Sequence, residues 1–426
     1  VEKFTIAGVN INKVSIYELL FSRTMLFAYV LLAFGAFGIY EIILERYYML
    51  TANAFDAGVH LGSHEVALAM KEAIFEQREE VHRQMPWTLY ISNYMYMIYT
   101  GSGIIFLVAL GELFGLEIIK KTAAGFLTFG LCIVFAGLFT IVFDLNFLNM
   151  TAMFKTPNVS AGMWLMLPLY CIYIPFVMFE IYLLITKQQK WVKNIGLIIL
   201  LLSVVIDIAE YYIQAKLFDM NTARHLWTTY PLLPLYFIVS SFVAACGVML
   251  LYSYIVYKNK LAGEYEKLME ILVLATLFFI LVLAVYETVG FLFIDGKWAQ
   301  IILFGGFNLQ YYLYALLSIV IPFGLLAPVI IKDELRTIAI IAASISIIVG
   351  TYVGRFIFVY GGNAYPLSDR FGSGFEKYSE YSEVQDFIFF PPSLSEIFIV
   401  IGSVGVIFAA YKILDSIFSV SQIREH

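Results

Sequence analysis

The sequence predicts an all-α polytopic membrane protein of about ten transmembrane helices, and three observations carry that prediction. The 426 residues are 61% hydrophobic and only 14% charged, with a mean hydropathy of +0.85, far too little polar surface for a soluble domain of this length. The apolar residues gather into ten runs, each long enough to cross the hydrocarbon core as a helix, which takes about 20 residues. Aromatic residues reach 17%, as suits membrane interfaces and close helix packing. A net charge of −6 gives no basis for binding nucleic acid.

In chain order the expected spans are Thr24–Leu44, Tyr90–Phe114, Ala123–Leu145, Ser160–Ile185, Trp191–Gln214, Leu232–Val256, Leu268–Phe293, Asn308–Ile331, Thr337–Tyr360 and Leu394–Phe418. The first is too long for the core of a cleaved signal peptide, and no small-residue cleavage site follows it, so it reads as a true span. Pro168 and Pro175 in the fourth span and Pro322 and Pro328 in the eighth should bend them, as membrane helices tolerate.

Basic residues set the expected orientation. With the N-terminus inside, fifteen Lys and Arg fall in inner loops and tails, whereas the short outer loops hold only Lys155, Lys216, Arg224 and Lys297. Both termini are therefore expected to face the cytoplasm. Two long loops, Glu45–Leu89 and Gly361–Ser393, then lie outside. The first contains a charged amphipathic stretch, His64–Arg83, read as a surface helix. The loops either form a docking platform or cap the bundle. A short internal echo, Leu89-Tyr90 before Gly101 and Leu235-Tyr236 before Gly247, allows two related four-helix bundles, flanked by the first and last spans.

What is missing narrows the chemistry. The histidines, His60, His64, His82, His225 and His426, all fall outside the spans, so no axial ligand is available to hold a haem within the membrane. The three cysteines, Cys132, Cys171 and Cys246, are isolated and inside spans. They form no cluster-binding motif and are read as buried packing residues. No metal site is expected. There is no phosphate-binding loop of the Walker type, so ATP is not the energy source.

Against this apolar background, a few polar groups inside the spans carry the signal, because an ionisable side chain at membrane depth is costly and usually marks a proton or ion path. Asp207 and Glu210 sit three apart on one helix face. Two neighbouring carboxylates in low dielectric do not both ionise easily, which suits proton uptake and release. Glu287 and Arg355 fall at similar depth, so an ion pair is expected, and such a pair fixes geometry whether or not it is functional. Glu180 and Glu112 lie near the inner ends of their spans, where they either open a route to the cytoplasm or extend to the interface. At the outer ends, Trp87, Tyr90, Asn93 and Tyr94 open the second span, Asp144 and Asn146 close the third, and Asn158, Ser160 and Trp164 open the fourth. A quinone needs an apolar slot, one or two hydrogen-bonding groups at its carbonyl oxygens and a nearby proton source, and this cluster can supply all three.

Several segments resemble one known family. Pro86-Trp87-Thr88-Leu89-Tyr90 looks like the opening of a helix in the polysulfide reductase membrane-subunit (NrfD) family, and Gly101-Ser102-Gly103 falls where that helix carries small residues. Phe143-Asp144-Leu145 resembles the end of the next helix, although Asn146-Phe147-Leu148 replaces the family's Gly-Arg-Pro. Thr156-Pro157-Asn158 through Trp164, His225-Leu226-Trp227 through Leu235, Gly354-Arg355-Phe356 and Pro392-Ser393-Leu394-Ser395-Glu396-Ile397 are similar to later segments, in the same order. Several long-form members carry a His in the second span, where this chain has Tyr99-Thr100-Gly101-Ser102.

The resemblance implies a quinone-binding subunit, for menaquinone or another quinone, with no haem or iron–sulfur cluster of its own. It would exchange electrons with an external ferredoxin-like iron–sulfur subunit and further redox subunits, in the cytoplasmic membrane. The expected organisation is an N-terminal segment with the first span and outer loop (1–85), a first four-helix bundle holding the quinone site (86–217), a second four-helix bundle (218–360), and an outer loop with the last span (361–426). Trp87, Tyr90, Asn93, Tyr94, Asp144 and Trp164 are expected at the quinone, and Asp207, Glu210, Glu287, Arg355 and Glu180 in proton transfer. The alternative is a proton-coupled secondary transporter using the same carboxylates, which would place its substrate at broken helices near the membrane centre.

Overall fold

The computed structural model describes residues 3–6, 9–56, 87, 89–145, 155, 162–186, 189–221, 225–229, 232–261, 263–290, 306–332, 336–364 and 392–423. The stretch His64–Arg83, most of both long loops, and Asn146, Asn158 and Ser160 lie outside the described residues.

The chain begins with a two-stranded antiparallel hairpin, β1 (Lys3–Ile6) and β2 (Val9–Asn12), in the register Lys3 to Asn12 and Ile6 to Val9. Nothing in the periodicity of the sequence announces it. A short helix α1 (Ile16–Leu20) follows, capped by the Ser15 side chain. The long helices are α2 (Arg23–Asp56), α3 (Leu89–Leu113), α4 (Glu117–Leu145), α5 (Gly162–Ile185) and α6 (Gln189–Asp219). The short α7 (His225–Thr229) leads into α8 (Leu233–Tyr257) and α9 (Tyr265–Val289). The set ends with α10 (Asn308–Ile331), α11 (Thr337–Gly361) and α12 (Leu394–Phe418). Ten of these helices are long and apolar enough to cross a membrane, and they coincide with the ten expected spans. The α5 helix runs on through Pro168 and Pro175. In α10 a π-helical turn, Leu316–Val320, ends two residues before Pro322. A second π-helical turn, Ile357–Gly361, begins two residues after Arg355 on α11. Such single turns inside α-helices are frequent at functional sites.

Helices α3 to α6 pack in a closed ring, each against its chain neighbour and α6 back against α3, and helices α8 to α11 do the same. The rings meet through α3 and α8, with α3 also touching α11 and α8 touching α6. The pair α2 and α12 lies outside, against α4. The least apolar of the ten helices, α3, is also the most buried. It carries Ser92, Asn93, Thr100 and Ser102, all enclosed, because polar side chains cannot be left facing lipid and find partners between helices instead. On α6 the division is by face. Leu201, Val205, Ile208 and Tyr212 point outward, whereas Ser203, Asp207, Glu210 and Gln214 are buried. This is an amphipathic helix with its polar stripe turned inward.

Small residues allow the closest contacts. A Cβ on Gly35 would lie 2.8 Å from the Cα of Gly402, so α2 and α12 touch backbone to backbone. The α12 helix opens with a capping box in which the Glu396 backbone N–H donates to the Ser393 hydroxyl (3.3 Å) and the Ser393 backbone N–H donates to the Glu396 carboxylate (2.9 Å). This gives the Ser393–Glu396 segment a structural role that sequence similarity alone did not reveal. Glu396→Ala removes one half of that reciprocal cap and is expected to cost about 1 kcal/mol, measurable as a lowered melting temperature of the detergent-solubilised protein. The hairpin docks at the far end of the same helix, where the Asn12 side-chain amide donates to the Ser416 carbonyl (3.0 Å) and the Ser419 hydroxyl (2.6 Å).

Candidate functional site

A cavity of about 590 Å³ opens within the α3–α6 ring. Its walls are Trp87, Ile91, Tyr94 and Met95 at the start of α3, Leu138 to Asp144 at the end of α4, Met166 to Pro175 on α5, and Gln214 to Phe218 on α6. Because the helices alternate in direction, these four segments lie at one end of the ring. The lining is mostly aliphatic and aromatic, and the volume falls within the roughly 300–1,000 Å³ range of small-molecule sites. Cys171, Val142 and Pro175 line it and are exposed, so the cavity is open along α4 and α5. Cys132 and Cys246 are buried as expected, but Cys171 is not. It is exposed in the wall of the open cavity, a position that apolarity alone cannot distinguish from the packed interior.

The polar groups in this wall are few and connected. Tyr170 is their centre: its hydroxyl donates to the Glu210 carboxylate (2.8 Å) and accepts from the Tyr94 hydroxyl (3.2 Å) and the Gln214 side-chain amide (2.6 Å). The Gln214 amide also approaches the same Glu210 oxygen at 3.3 Å. Tyr94, Tyr170 and Gln214 line the cavity, while Glu210 is fully enclosed behind them. A ligand acceptor placed against Tyr170 would therefore be one hydroxyl away from a buried carboxyl group. Asp207 lies one turn further from the cavity and interacts with Tyr173 and Glu210. Glu180 is near enough to act electrostatically on Asp207, and Glu112 on Glu180. Four carboxyl groups thus follow one another through the ring, from the end opposite the cavity to the cavity wall.

Of the residues expected to form the site, Trp87, Tyr94 and Asp144 line the cavity. Three do not. Asn93 is turned the other way, and its amide donates to Thr140 (3.1 Å) on α4 and Ser403 (3.1 Å) on α12. Tyr90 packs with Ile42 and Ile399 of the flanking helices and against the Phe143 ring. Trp164 is half-buried at the start of α5, where the cavity wall begins at Met166. The physical reason is rotation: the stripe of α3 that faces the cavity is Trp87, Ile91, Tyr94 and Met95, and at about 100° per residue Tyr90 falls beside that stripe and Asn93 on its far side. Tyr170 and Gln214 were missed. Gln214 was legible as the residue four beyond Glu210, hence on the same face. Tyr170 sits on another helix and carries no such mark.

The expected pair of Glu287 and Arg355 does not form. Glu287 accepts from the hydroxyls of Tyr314 (2.9 Å) and Tyr311 (3.4 Å) on α10. Arg355 reaches instead towards α8 and α3. Its Nη2 donates to the Ser240 hydroxyl (2.6 Å) and weakly to the Phe237 carbonyl (3.4 Å). Its guanidinium lies 4.5 Å from the ring centre of Tyr99 and 5.1 and 5.4 Å from those of Phe237 and Tyr236. The two residues leave their helices in different directions, Glu287 towards α10 and Arg355 towards α8 and α3. Among the described residues, no group of three or more His, Cys, Asp or Glu is placed to hold a metal ion.

Comparison with known proteins agrees with this architecture. No curated protein matches the sequence. The family model for polysulphide reductase, NrfD, matches residues 78–366, which is more than half of the chain and contains every wall of the cavity, Glu210 and Arg355. With ten membrane-length helices around an enclosed carboxylate cluster, the chain belongs to the polysulphide reductase NrfD family of membrane subunits of oxidoreductase complexes.

Proposed function

We propose that the chain is a quinone-reactive subunit, that quinone occupies the cavity of the α3–α6 ring, and that Glu210 exchanges protons with it through Tyr170. The observation that carries this reading is the hydrogen-bonded sequence from the cavity wall to a buried carboxyl group, Tyr170 to Glu210 at 2.8 Å. The cavity fits the ligand class: an apolar slot of about 590 Å³, open along α4 and α5 and furnished with two tyrosine hydroxyls and one amide. When bound, a quinone supplies two-electron, two-proton chemistry, the electrons being exchanged with an external iron–sulfur subunit.

The protein's own groups divide the remaining work. The Gln214 amide and Tyr94 hydroxyl hold the Tyr170 oxygen in place. In quinol oxidation Tyr170 takes a proton from the bound quinol and passes its own to Glu210 along the hydrogen bond that it donates. Quinone reduction runs the other way, from a protonated Glu210 that donates to Tyr170. Asp207, Glu180 and Glu112 support a route for those protons from the face opposite the cavity, since each acts electrostatically on the next. Trp87 and Asp144 line the cavity beside them. The excess of basic residues in the alternate loops supports cytoplasmic termini, which puts the cavity at the outer side, where an external redox subunit would dock.

Cys171 provides a direct test, being exposed and in the cavity wall while the other two cysteines are buried. A water-soluble short-chain quinone analogue is expected to slow maleimide labelling of Cys171 in the solubilised protein. Labelling at an unchanged rate with saturating analogue would remove quinone from this cavity. Purification of the intact assembly is expected to bring down a cluster-bearing chain, and an assembly without iron would contradict the electron-transfer role.

A further inference from the structure

The two rings meet at a polar junction that the quinone reading does not use. A second, much smaller space lies there, about 10 Å³, about enough for one water or an ion of similar size. Its ten lining residues come from α3, α8, α10 and α11, and all ten are buried. Eight of them carry a hydroxyl, and the other two are Ala244 and Arg355. No carboxylate lines the space.

Arg355 cannot shed its charge by losing a proton. Its Nη2 donates to the Ser240 hydroxyl (2.6 Å) and weakly to the Phe237 carbonyl (3.4 Å), but its buried Nη1 has no hydrogen-bond partner. Among the described residues no carboxylate forms an ion pair with it. An uncompensated buried charge is strongly destabilising. The rings of Tyr99, Tyr236 and Phe237 around the guanidinium offset part of that cost. A ring carries no net charge, however, and these leave Nη1 without an acceptor. The Tyr99 hydroxyl, in the same wall, is buried and likewise unpartnered. The hydroxyls of Tyr96, Ser240, Tyr314 and Thr351 donate elsewhere, to the carbonyls of Ile348, Tyr236 and Ile347 and to the Glu287 carboxylate. What the wall has left over is therefore one cationic N–H and one O–H, two donors in need of an acceptor.

We propose that this junction binds a single halide ion, chloride in the cell, between Arg355 Nη1 and the Tyr99 hydroxyl. Three observations select that ligand class. The unpaired cation calls for negative charge, the two free donors call for an acceptor, and the small volume admits only an ion not much wider than a water. A water accepts both hydrogen bonds but brings no charge, and a carboxylate or phosphate ligand exceeds the space. The ion lies where α3 and α8 of the two rings meet α11, so it acts as a structural ion that holds the rings together. It takes no part in chemistry at the larger cavity, and the proposal does not rest on the quinone reading.

The test uses the full chain in detergent, with chloride or bromide replaced stepwise by gluconate at constant ionic strength. The melting temperature is expected to rise with halide concentration, and denaturation to release about one halide per chain, read by ion chromatography, as for a ligand held by the folded state alone. Arg355→Gln should abolish both signals. Tyr99→Phe keeps the ring beside the guanidinium and removes one donor. It should need about tenfold more halide for the same stabilisation, as fits the loss of one hydrogen bond to a charged group. If the wild-type chain shows neither signal, the proposal is overturned and a water fills the space. Signals unchanged in both variants also overturn it, because the ion then lies elsewhere. Where Arg355→Gln fails to fold, Tyr99→Phe decides, and an unshifted halide dependence in that variant overturns the proposal.

Discussion

Replacing Glu210 by Gln is expected to lower quinone turnover by about 10²–10⁴-fold, the range over which a positioned acid–base group contributes. The glutamine keeps the volume and an oxygen that can still accept from Tyr170, so the cavity and its tyrosines stay in place. What is lost is the exchangeable proton. Quinone binding, read by protection of Cys171, should therefore survive while turnover falls, and reduction of a cluster in the partner subunit by its own donor should be unaffected. Tyr170→Phe is expected to show the same division, because Glu210 is enclosed and reaches the cavity through the Tyr170 hydroxyl. Normal turnover in both variants would mean that protons reach the cavity by another way.

The second large effect is expected at Gly101. A Cβ there would lie 2.6 Å from the Gly130 carbonyl oxygen and 2.7 Å from Val134 Cγ2. The first of these is backbone and cannot rotate away, so Gly101→Val must push α4 off α3. Overpacking of this kind costs about 1–3 kcal/mol and occasionally more, and the upper end is expected because α3 is packed on nearly every side. The purified variant should lose its monodisperse peak in size-exclusion chromatography. Gly324→Val is the matching control, since nothing lies within 4 Å of a Cβ at that position. Equal behaviour of the two variants would show that the α3–α4 contact tolerates separation.

Much of the fold was legible because the bilayer simplifies the problem. A helix must satisfy its own backbone and cover about 30 Å with apolar side chains, so ten runs of apolar residues become ten helices. The same rule identified Asp207 and Glu210, whose cost at membrane depth makes them conspicuous in any apolar sequence. It could not supply their neighbours. Tyrosine is common at helix ends and in packed interiors alike, so nothing marked Tyr170 as the group between Glu210 and the cavity, or Tyr314 as the partner of Glu287. Asn93 was conspicuous for the same reason as Asp207, yet it holds α4 and α12 together.

The sequence by itself determined the membrane class, the number and approximate positions of the long helices, and which charged groups had to be enclosed, because hydrophobic transfer energy depends on composition along the chain. It did not set their ends, since the first of them runs on from Leu44 to Asp56. Only the tertiary structure decided which way each helix turns. That rotation sends Asn93 towards α12 and Tyr94 towards the cavity. It also sends Arg355 to Tyr99 and Ser240 and away from Glu287. A helix face is chosen by the summed packing of all its neighbours, which are distant in sequence and meet only once the rings close.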